Sequence, residues 1–479
     1  MQNRCTVDQL RAAKRIHILG VCGTGMGTFA GMLAQKGFEV RGTDAGCYPP
    51  MSDLLEEWGI PVMEGYAPKN LDWNPDLVVV GNVIRRINPE ATAMRERGIP
   101  HVSFPEAFAE KFLSDRHPVV ITGTHGKTTT TTLTGWLLTA TEQDPTLLVG
   151  GVPLNFGKSF RLGQGKHVVV EGDEYDTAYF DKVPKFVHYR PRTGIITNIE
   201  FDHADIYPDV ETIEQQFRNF VSLLPADGHL LYWDGCARAS RVAADAPCKA
   251  ESYGSPTAFW RAENIQMNSE GTTFTLVRKG IPLTRVEAPL FGAHNLQNTV
   301  AAMAVAITEG GDPERVAEGV RRFKNIKKRH EIKGVVNGIT VIDDFAHHPT
   351  AVAATVRAVR ERFPNAPLYC CFEIESNTSR RRVFQDDYPP AFAAADSVVF
   401  CKPLAKADNL PPEQRIQLDR VIQGIQALGV QATLIPEVDD IVDWLVERLP
   451  SGSVVLGMSG RHFYGLHDKL LTALKGLNV

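Results

Sequence analysis

Several features that would settle the class of this chain at once are missing from it. No apolar run approaches the ~20 residues needed to span a bilayer. The opening stretch, Met1 to Arg15, is polar and lacks the apolar centre of a signal peptide. No membrane association or export is expected on these grounds. An excess of one charge is absent too. The 51 Lys and Arg stand against 56 Asp and Glu for a net charge of -5, so no basic face announces a nucleic-acid partner. The eight cysteines (Cys5, Cys22, Cys47, Cys236, Cys248, Cys370, Cys371, Cys401) include no Cys-x-x-Cys pair. Neither a disulfide framework nor a zinc site is expected from them. No fixed-period repeat occurs either. What is present is ordinary globular material, 43% hydrophobic and 22% charged over 479 residues. At ~150 residues per domain, that length points to about three domains, in a soluble, cytoplasmic protein.

Strand-like and helix-like stretches alternate along the chain, the pattern of parallel sheets covered by helices on both faces. Arg15 to Leu19 reads as a strand, followed by a glycine-rich turn and a helix from Met26 to Lys36. A second strand, Phe38 to Arg41, ends at Asp44, and Leu77 to Val80 is a buried parallel strand. Leu113 to Pro118 reads as a linker. The pattern then restarts with the strand Val119–Ile121, the turn Gly123–Gly126 and a helix Lys127–Thr141. Val168–Val170 and Gly194–Thr197 follow as strands. A third segment starts after the basic stretch Lys324–His330, with strands at Thr340–Asp343, Leu368–Phe372, Ser397–Cys401 and Ser453–Met458.

The sharpest chemical signal is Gly123-Thr124-His125-Gly126-Lys127-Thr128-Thr129, set between a strand and a helix. Glycines let backbone N–H groups close around phosphate oxygens, the helix N-terminus adds its positive dipole end, and Lys127 adds a point charge. Thr128 is placed to offer a hydroxyl to Mg²⁺. Gly20 to Gly27 follows the first strand, with Asp44 ending the next, as in a dinucleotide fold; the phosphate of any nucleotide satisfies this pattern. Glu171 to Asp176 is an acidic cluster just past a strand, either a hard-cation site or a solvated surface. Asn198 to His203 also lies past a strand. Asn295 and Asn298 open an alanine-rich helix, where they read a base edge or cap the helix. Asp343 to Pro349 sets His347 and His348 beside acids, as general acid/base groups, phosphate contacts or a metal pair.

These motifs, in this order, resemble the Mur ligases, the ATP-dependent amide-forming enzymes of peptidoglycan assembly, over essentially the whole chain. The resemblance implies an α/β fold of three domains: a Rossmann-like UDP-sugar domain (1–115), a central P-loop ATPase-like domain (116–325) and a Rossmann-like C-terminal domain (326–479). The glycine-rich start is similar to the subgroup acting on UDP-N-acetylmuramate itself. Gly150 to Phe156, Gly172 to Lys182, Lys185 to Arg192, Tyr48 to Ser52 and Ser376-Asn377-Thr378 side with its peptide-adding branch, which recycles murein tripeptide, rather than with its alanine-adding branch. That branch commonly reads Glu-Pro-Arg where this chain has Glu373-Ile374-Glu375. Arg218 stands near the position where several family members carry a carbamylated lysine, so that modification is not expected.

Roles follow by the same resemblance. ATP and Mg²⁺ are implied, with UDP-N-acetylmuramate and murein peptide as small-molecule substrates and a monomer or weak homodimer as the assembly. ATP is assigned to Gly123, Thr124, His125, Gly126, Lys127, Thr128, Thr129, Asn295, Asn298, Arg329 and Asp344. The metal falls to Thr128, Glu174 and His203, and the chemistry to Lys127, Glu174, His203, His347 and His348. Substrate contacts fall to Gly23, Thr24, Gly25, Met26, Gly27, Asp44, Asn377 and Arg380. Domain closure is expected to assemble the site. Two readings from other classes compete: a nucleotide-sugar oxidoreductase, which leaves the Gly-Lys-Thr loop unexplained, and a nucleotide-switched binding protein, which turns over ATP without an amide product.

Overall fold

The computed structural model describes residues 5–404 and 410–477. It divides into two compact units. The first comprises Met1–Ile199, Ile213–Phe259 and Ala301–Val316; the second comprises Glu200–Thr212, Trp260–Val300 and Ala317–Val479.

The first unit holds two parallel sheets. In one, the strands run in the order Val62–Glu64, Glu39–Asp44, Arg15–Leu19, Leu77–Val80, His101–Ser103. The order reverses between Arg15–Leu19 and Leu77–Val80, and ligands of open α/β sheets bind at the carboxyl ends beside such a switch point. The glycine-rich turn leaves Leu19 at that place. In the other, Lys249–Tyr253, His229–Trp233, Thr193–Ile196, His117–Thr122, His167–Glu171 and Thr146–Leu148 run parallel, and Phe160–Arg161 closes the edge antiparallel. Val119, Val120 and Ile121, like Val168 and Val169, are fully buried. A strand covered by helices on both faces reads as a continuous apolar run for this reason.

The helix Lys127–Ala140 forms against its own propensity. Its sequence opens Lys-Thr-Thr-Thr-Thr-Thr, and each β-branched threonine costs about 0.5 kcal/mol against alanine. Thr129 through Thr132 are buried, so packing against the sheet supplies what the local sequence does not.

In the second unit, Trp260–Asn268, Gly271–Arg278 and Ile281–Ala288 form an antiparallel meander. A separate sheet orders Glu331–Val336, Ile339–Asp344, Val454–Met458, Leu368–Phe372, Ser397–Phe400 and Gln431–Leu434, parallel except for its first edge strand. Alternation sorts its core onto two faces. Ile342, Cys370, Phe372, Val398 and Leu456 pack on one side, while Val341, Cys371, Val399 and Val455 pack on the other.

Some bounds differ from expectation. The first helix spans Thr24–Gln35, and the second strand, Glu39–Asp44, starts one residue later than expected while ending at Asp44 as expected. His117 and Pro118 belong to a central strand rather than to a linker. Pro118 is tolerated at the strand's start, where its carbonyl still accepts from Arg192 N. The cysteines need a correction as well, because Cys22 and Cys47 form a disulfide. Adjacent parallel strands bring their carboxyl ends together, so the loops after Leu19 and Asp44 meet although the two residues are 25 apart in sequence.

Candidate active site

The phosphate-type loop of the first unit is built on the end of the strand Thr193–Ile196. Gly123 has φ +132°, and a Cβ there would fall 2.0 Å from Thr197 Oγ1, so no other residue fits without moving that strand end. Asn198 pins the loop: its carbonyl accepts from Thr124 N at 3.1 Å and its Oδ1 from His125 N at 2.8 Å. Gly126, left-handed at φ 82°, caps the helix that Lys127 begins.

Lys127 folds back over this loop, its Nζ donating to Gly123 O at 2.6 Å and to Glu174 Oε2 at 3.0 Å. Burial by itself would lower its pKa; the carboxylates of Glu174 and Asp173 override burial and hold the ammonium above the usual lysine value. Thr128 Oγ1 donates to Glu171 Oε2 at 3.1 Å. Burial and the charge of Asp173 push Glu171 upward. Asp173 turns instead to Lys185 Nζ at 2.7 Å and Tyr175 OH at 3.0 Å. That contact gives Tyr175 a defined job, since with Lys185 it fixes Asp173 Oδ2 while Oδ1 lies 4.0 Å from Lys127 Nζ. Thr128, Glu171 and Glu174 together offer the hard oxygen donors that suit Mg²⁺.

At the glycine-rich turn, Asp44 Oδ2 accepts from Cys22 N at 2.8 Å and Oδ1 from Ala45 N at 2.7 Å, so its carboxylate shapes the turn itself. The helix Thr24–Gln35 starts from Gly23, and its N-terminal residues Thr24 and Gly25 are exposed. Gly27 admits no side chain, because a Cβ would lie 2.2 Å from Met51 Sδ and 2.9 Å from Val21 O.

The second unit gathers two further sets. Asp202 Oδ1 accepts from His203 N at 2.7 Å and from Thr378 Oγ1 at 2.8 Å. Burial would raise its pKa, but His203, His348 and His347 together hold it well below the usual carboxylate range. His203 has φ 52°, an uncommon backbone for a residue with a side chain. His348 caps the helix Pro349–Arg362 through Nδ1, which accepts from Thr350 N, and places Nε2 3.1 Å from Phe201 O. Nε2 therefore carries the proton. His347 Nδ1 lies 3.1 Å from Phe345 O, which assigns that nitrogen the proton and leaves a lone pair on Nε2. Asn377 donates to Asp205 Oδ2 at 2.8 Å, and Arg380 is buried.

In the other set, Asp344 is buried and accepts from His330 N and Ala346 N, both at 2.8 Å, and from Thr355 Oγ1 at 3.3 Å. Arg329 stacks 4.7 Å above the Phe345 ring, and Arg362 lies 3.8 Å over Phe291. His294 packs edge-on to His330 and is pushed down to about 3 by burial, with His330 second. Asn295 Nδ2 donates to Phe291 O at 2.9 Å and Asn298 Nδ2 to Asn295 Oδ1 at 3.3 Å. Glu373, raised by burial, accepts from Ser459 Oγ. Arg218 pairs with Glu214 and Asp245. Glu171 and Asn198, which open the two candidate stretches past strands, hold these arrangements in place together with Thr197 and His330, to which the sequence assigns no role. Thr197 sits just past a strand end, whereas His330 precedes the strand Glu331–Val336 and carries no local signal.

The chain matches the Mur ligase family, catalytic domain, at residues 15–115, the Mur ligase middle domain at 121–306, and the Mur ligase, glutamate ligase domain at 328–461. The chain belongs to the Mur ligase family, ATP-dependent amide-bond-forming enzymes. Among its relatives, UDP-N-acetylmuramate–L-alanyl-γ-D-glutamyl-meso-2,6-diaminoheptandioate ligase of Escherichia coli (strain K12) is 37% identical over 96% of this chain and 98% of its own length. UDP-N-acetylmuramate–L-alanine ligase of Clostridium acetobutylicum is 31% identical over 96% and 98%. The crystal structure of a murein peptide ligase from Psychrobacter arcticus 273-4 superimposes with a TM-score of 0.73 at 34% identity, covering 96% of this chain and 98% of that one.

Proposed function

We propose that this chain joins the lactyl carboxylate of UDP-N-acetylmuramate to the free amine of L-Ala-γ-D-Glu-meso-diaminopimelate, through an acyl phosphate made at the expense of ATP, in peptidoglycan recycling. The observation that carries this reading is the full-length match to the tripeptide-adding relative, at higher identity than to the alanine-adding one. Residues 1–115 hold the UDP-sugar, through Gly23 to Gly27 on the turn that Asp44 shapes. Residues 116–325 hold the triphosphate, and 326–479 contribute peptide contacts, including Asn377 and Arg380. The reaction belongs to the cytoplasm, where ATP and nucleotide sugars are made.

Two anionic reactants, a carboxylate and a triphosphate, must approach each other, so fixed positive charge is the main requirement. Lys127 meets it, already oriented by Gly123 O and Glu174. Mg²⁺, held by Thr128 and Glu174 with a second ion at His203, would supply further charge neutralisation on the phosphates. Asn295, Asn298, Arg329 and the Asp344 framework position the nucleotide. With His348 committed to capping its helix, the amine's proton falls to His347 Nε2.

Substrate choice tests the proposal directly. Offered UDP-N-acetylmuramate, ATP, Mg²⁺ and either L-alanine or the tripeptide, the purified enzyme is expected to form the tripeptide adduct at the higher kcat/KM. A product with alanine alone reassigns it to the alanine-adding branch, and phosphate release without amide makes it a nucleotide switch. His203→Ala is expected to raise the Mg²⁺ concentration for half-maximal rate by about tenfold or more; an unchanged Mg²⁺ titration removes His203 from the metal site.

A further inference from the structure

The parallel strands of the first unit carry the phosphate loop at their carboxyl ends. At their opposite ends lies a second cluster that the ligase reaction does not use. His117 opens the strand His117–Thr122 and His167 opens His167–Glu171, and the register sets the two directly opposite each other. Their ring centroids are 5.2 Å apart. Glu309 follows the helix that ends at Thr308, where its N donates to Val305 O, and its carboxylate reaches both rings. Oε2 lies 2.9 Å from His167 Nε2, and Oε1 lies 3.3 Å from His117 Nε2.

We propose that His117, His167 and Glu309 form a zinc site, separate from the Mg²⁺ chemistry of the ligase. Tetrahedral zinc with bonds of ~2.0–2.1 Å sets its ligand atoms about 3.3 Å apart. The distances from the carboxylate to the two imidazoles, 2.9 and 3.3 Å, lie at or just below that value, and one ligand atom from each residue falls within 4.8 Å of the others. Two imidazoles and one carboxylate suit a late first-row ion, whereas Mg²⁺ prefers oxygen alone. The side chain of His167 is 1% exposed and that of Glu309 9%, while that of His117 is 20% exposed, which gives an ion a way in and leaves a fourth position to water. The buried His167 Nδ1 has no hydrogen-bond partner, so Nε2 is that ring's working nitrogen. Thr193 Oγ1 donates to Glu309 Oε1 at 3.1 Å, the kind of outer contact that orients a ligating carboxylate. Lys166 Nζ lies 3.2 Å from Glu309 Oε2, but its side chain is 62% exposed and swings into solvent at little cost when a cation takes its place. Six strand residues at ~3.3 Å each put the cluster about 20 Å from the phosphate loop. Its role is to clamp two strand starts to a helix end.

The test uses the full-length chain, freed of metal and then saturated with Mg²⁺ and ATP. Zn²⁺ is titrated in competition with a chromogenic chelator, and Co²⁺ is added separately for its visible d–d bands. One tight zinc per chain is expected, with a tetrahedral Co²⁺ spectrum and a zinc-dependent rise in Tm. His117→Gln and Glu309→Gln, which keep the local volume, are expected to weaken zinc about 100-fold or more, since outer partners alone are worth 10–100-fold. Lys166→Met, which removes the competing ammonium, is expected to tighten it. Ligation by His117→Gln stays at the wild-type rate. Zinc bound equally by wild type and both glutamine variants overturns the proposal, as does the absence of a tight site in wild type.

Discussion

Lys127→Ala is expected to lower ligation by at least about 10³-fold while leaving UDP-N-acetylmuramate binding near its wild-type value. Loss of one preorganised charge stabiliser typically costs 10²–10³ in rate, and here the lost group is a full cation. Its ammonium is held within 3.0 Å of Glu174 and 2.6 Å of Gly123 O. The same substitution has a structural cost. Glu174 is 2% exposed and would be left as a buried carboxylate without its cation, a change worth about 3–5 kcal/mol. Inactivity through misfolding is separated from inactivity through chemistry by the double variant Lys127→Ala with Glu174→Gln. Neutralising the Glu174 carboxylate is expected to restore most of the unfolding free energy in urea. A Lys127→Ala enzyme that still forms product refutes the phosphate-loop assignment.

Why Lys127 was legible in the sequence and its neighbours were not is a matter of range. The loop is local: glycines, lysine and threonines lie in one stretch of chain between a strand and a helix, and their chemistry depends on that order alone. The buried strands were legible for the same reason. Leu77–Val80 has the bounds expected of an uninterrupted apolar run between turns. Partners were not. That Thr128 meets Glu171, that Asp173 faces Lys185 and Tyr175, and that Asn198 ties down the loop all follow from which strands lie side by side. Sequence fixes strand order only weakly. The meander Trp260–Ala288 went unread, because its alternating strands sit amid mixed polar residues with little apolar contrast. The disulfide between Cys22 and Cys47 is invisible to cysteine spacing, because it depends on which strand ends adjoin. His347 and His348, equivalent on paper, are separated by backbone geometry alone: one begins a helix as its cap, while the other stands a residue earlier with an imidazole nitrogen left to react.

A loss of stability as large as that of Lys127→Ala is expected well away from the phosphate loop, at Glu90. Its side chain is fully buried on the helix Pro89–Glu96. Oε1 accepts from His17 Nε2 at 2.7 Å and Thr43 Oγ1 at 3.0 Å; Oε2 accepts from Asn70 Nδ2 at 2.9 Å and Ala67 N at 3.2 Å. Trp73 Nε1 donates to His17 Nδ1 at 3.3 Å, which leaves Nε2 as the ring nitrogen that donates to Glu90. The carboxylate is therefore held by a ring of donors, and those donors come from two adjacent strands and the turn beyond them. Glu90→Ala takes this acceptor from all four, leaving Asn70 Nδ2 with Gly65 O at 2.9 Å and Thr43 Oγ1 and His17 Nε2 only each other at 3.1 Å. An unsatisfied buried donor costs about 1–3 kcal/mol, and partial relaxation brings the expected total to about 3–5 kcal/mol. Glu90→Gln keeps one acceptor oxygen but turns an NH₂ toward existing donors, for a smaller loss of about 1–3 kcal/mol. Urea unfolding followed by circular dichroism reads both. Thr43 precedes Asp44 and its carbonyl accepts from Gly20 N at 2.8 Å, so the same network underlies the glycine-rich turn. Glu90→Ala is accordingly expected to weaken UDP-N-acetylmuramate binding, even at temperatures where the variant remains folded. A variant within 1 kcal/mol of wild type, with unchanged sugar-nucleotide affinity, shows that this buried carboxylate is not what holds the sheet and its turn together.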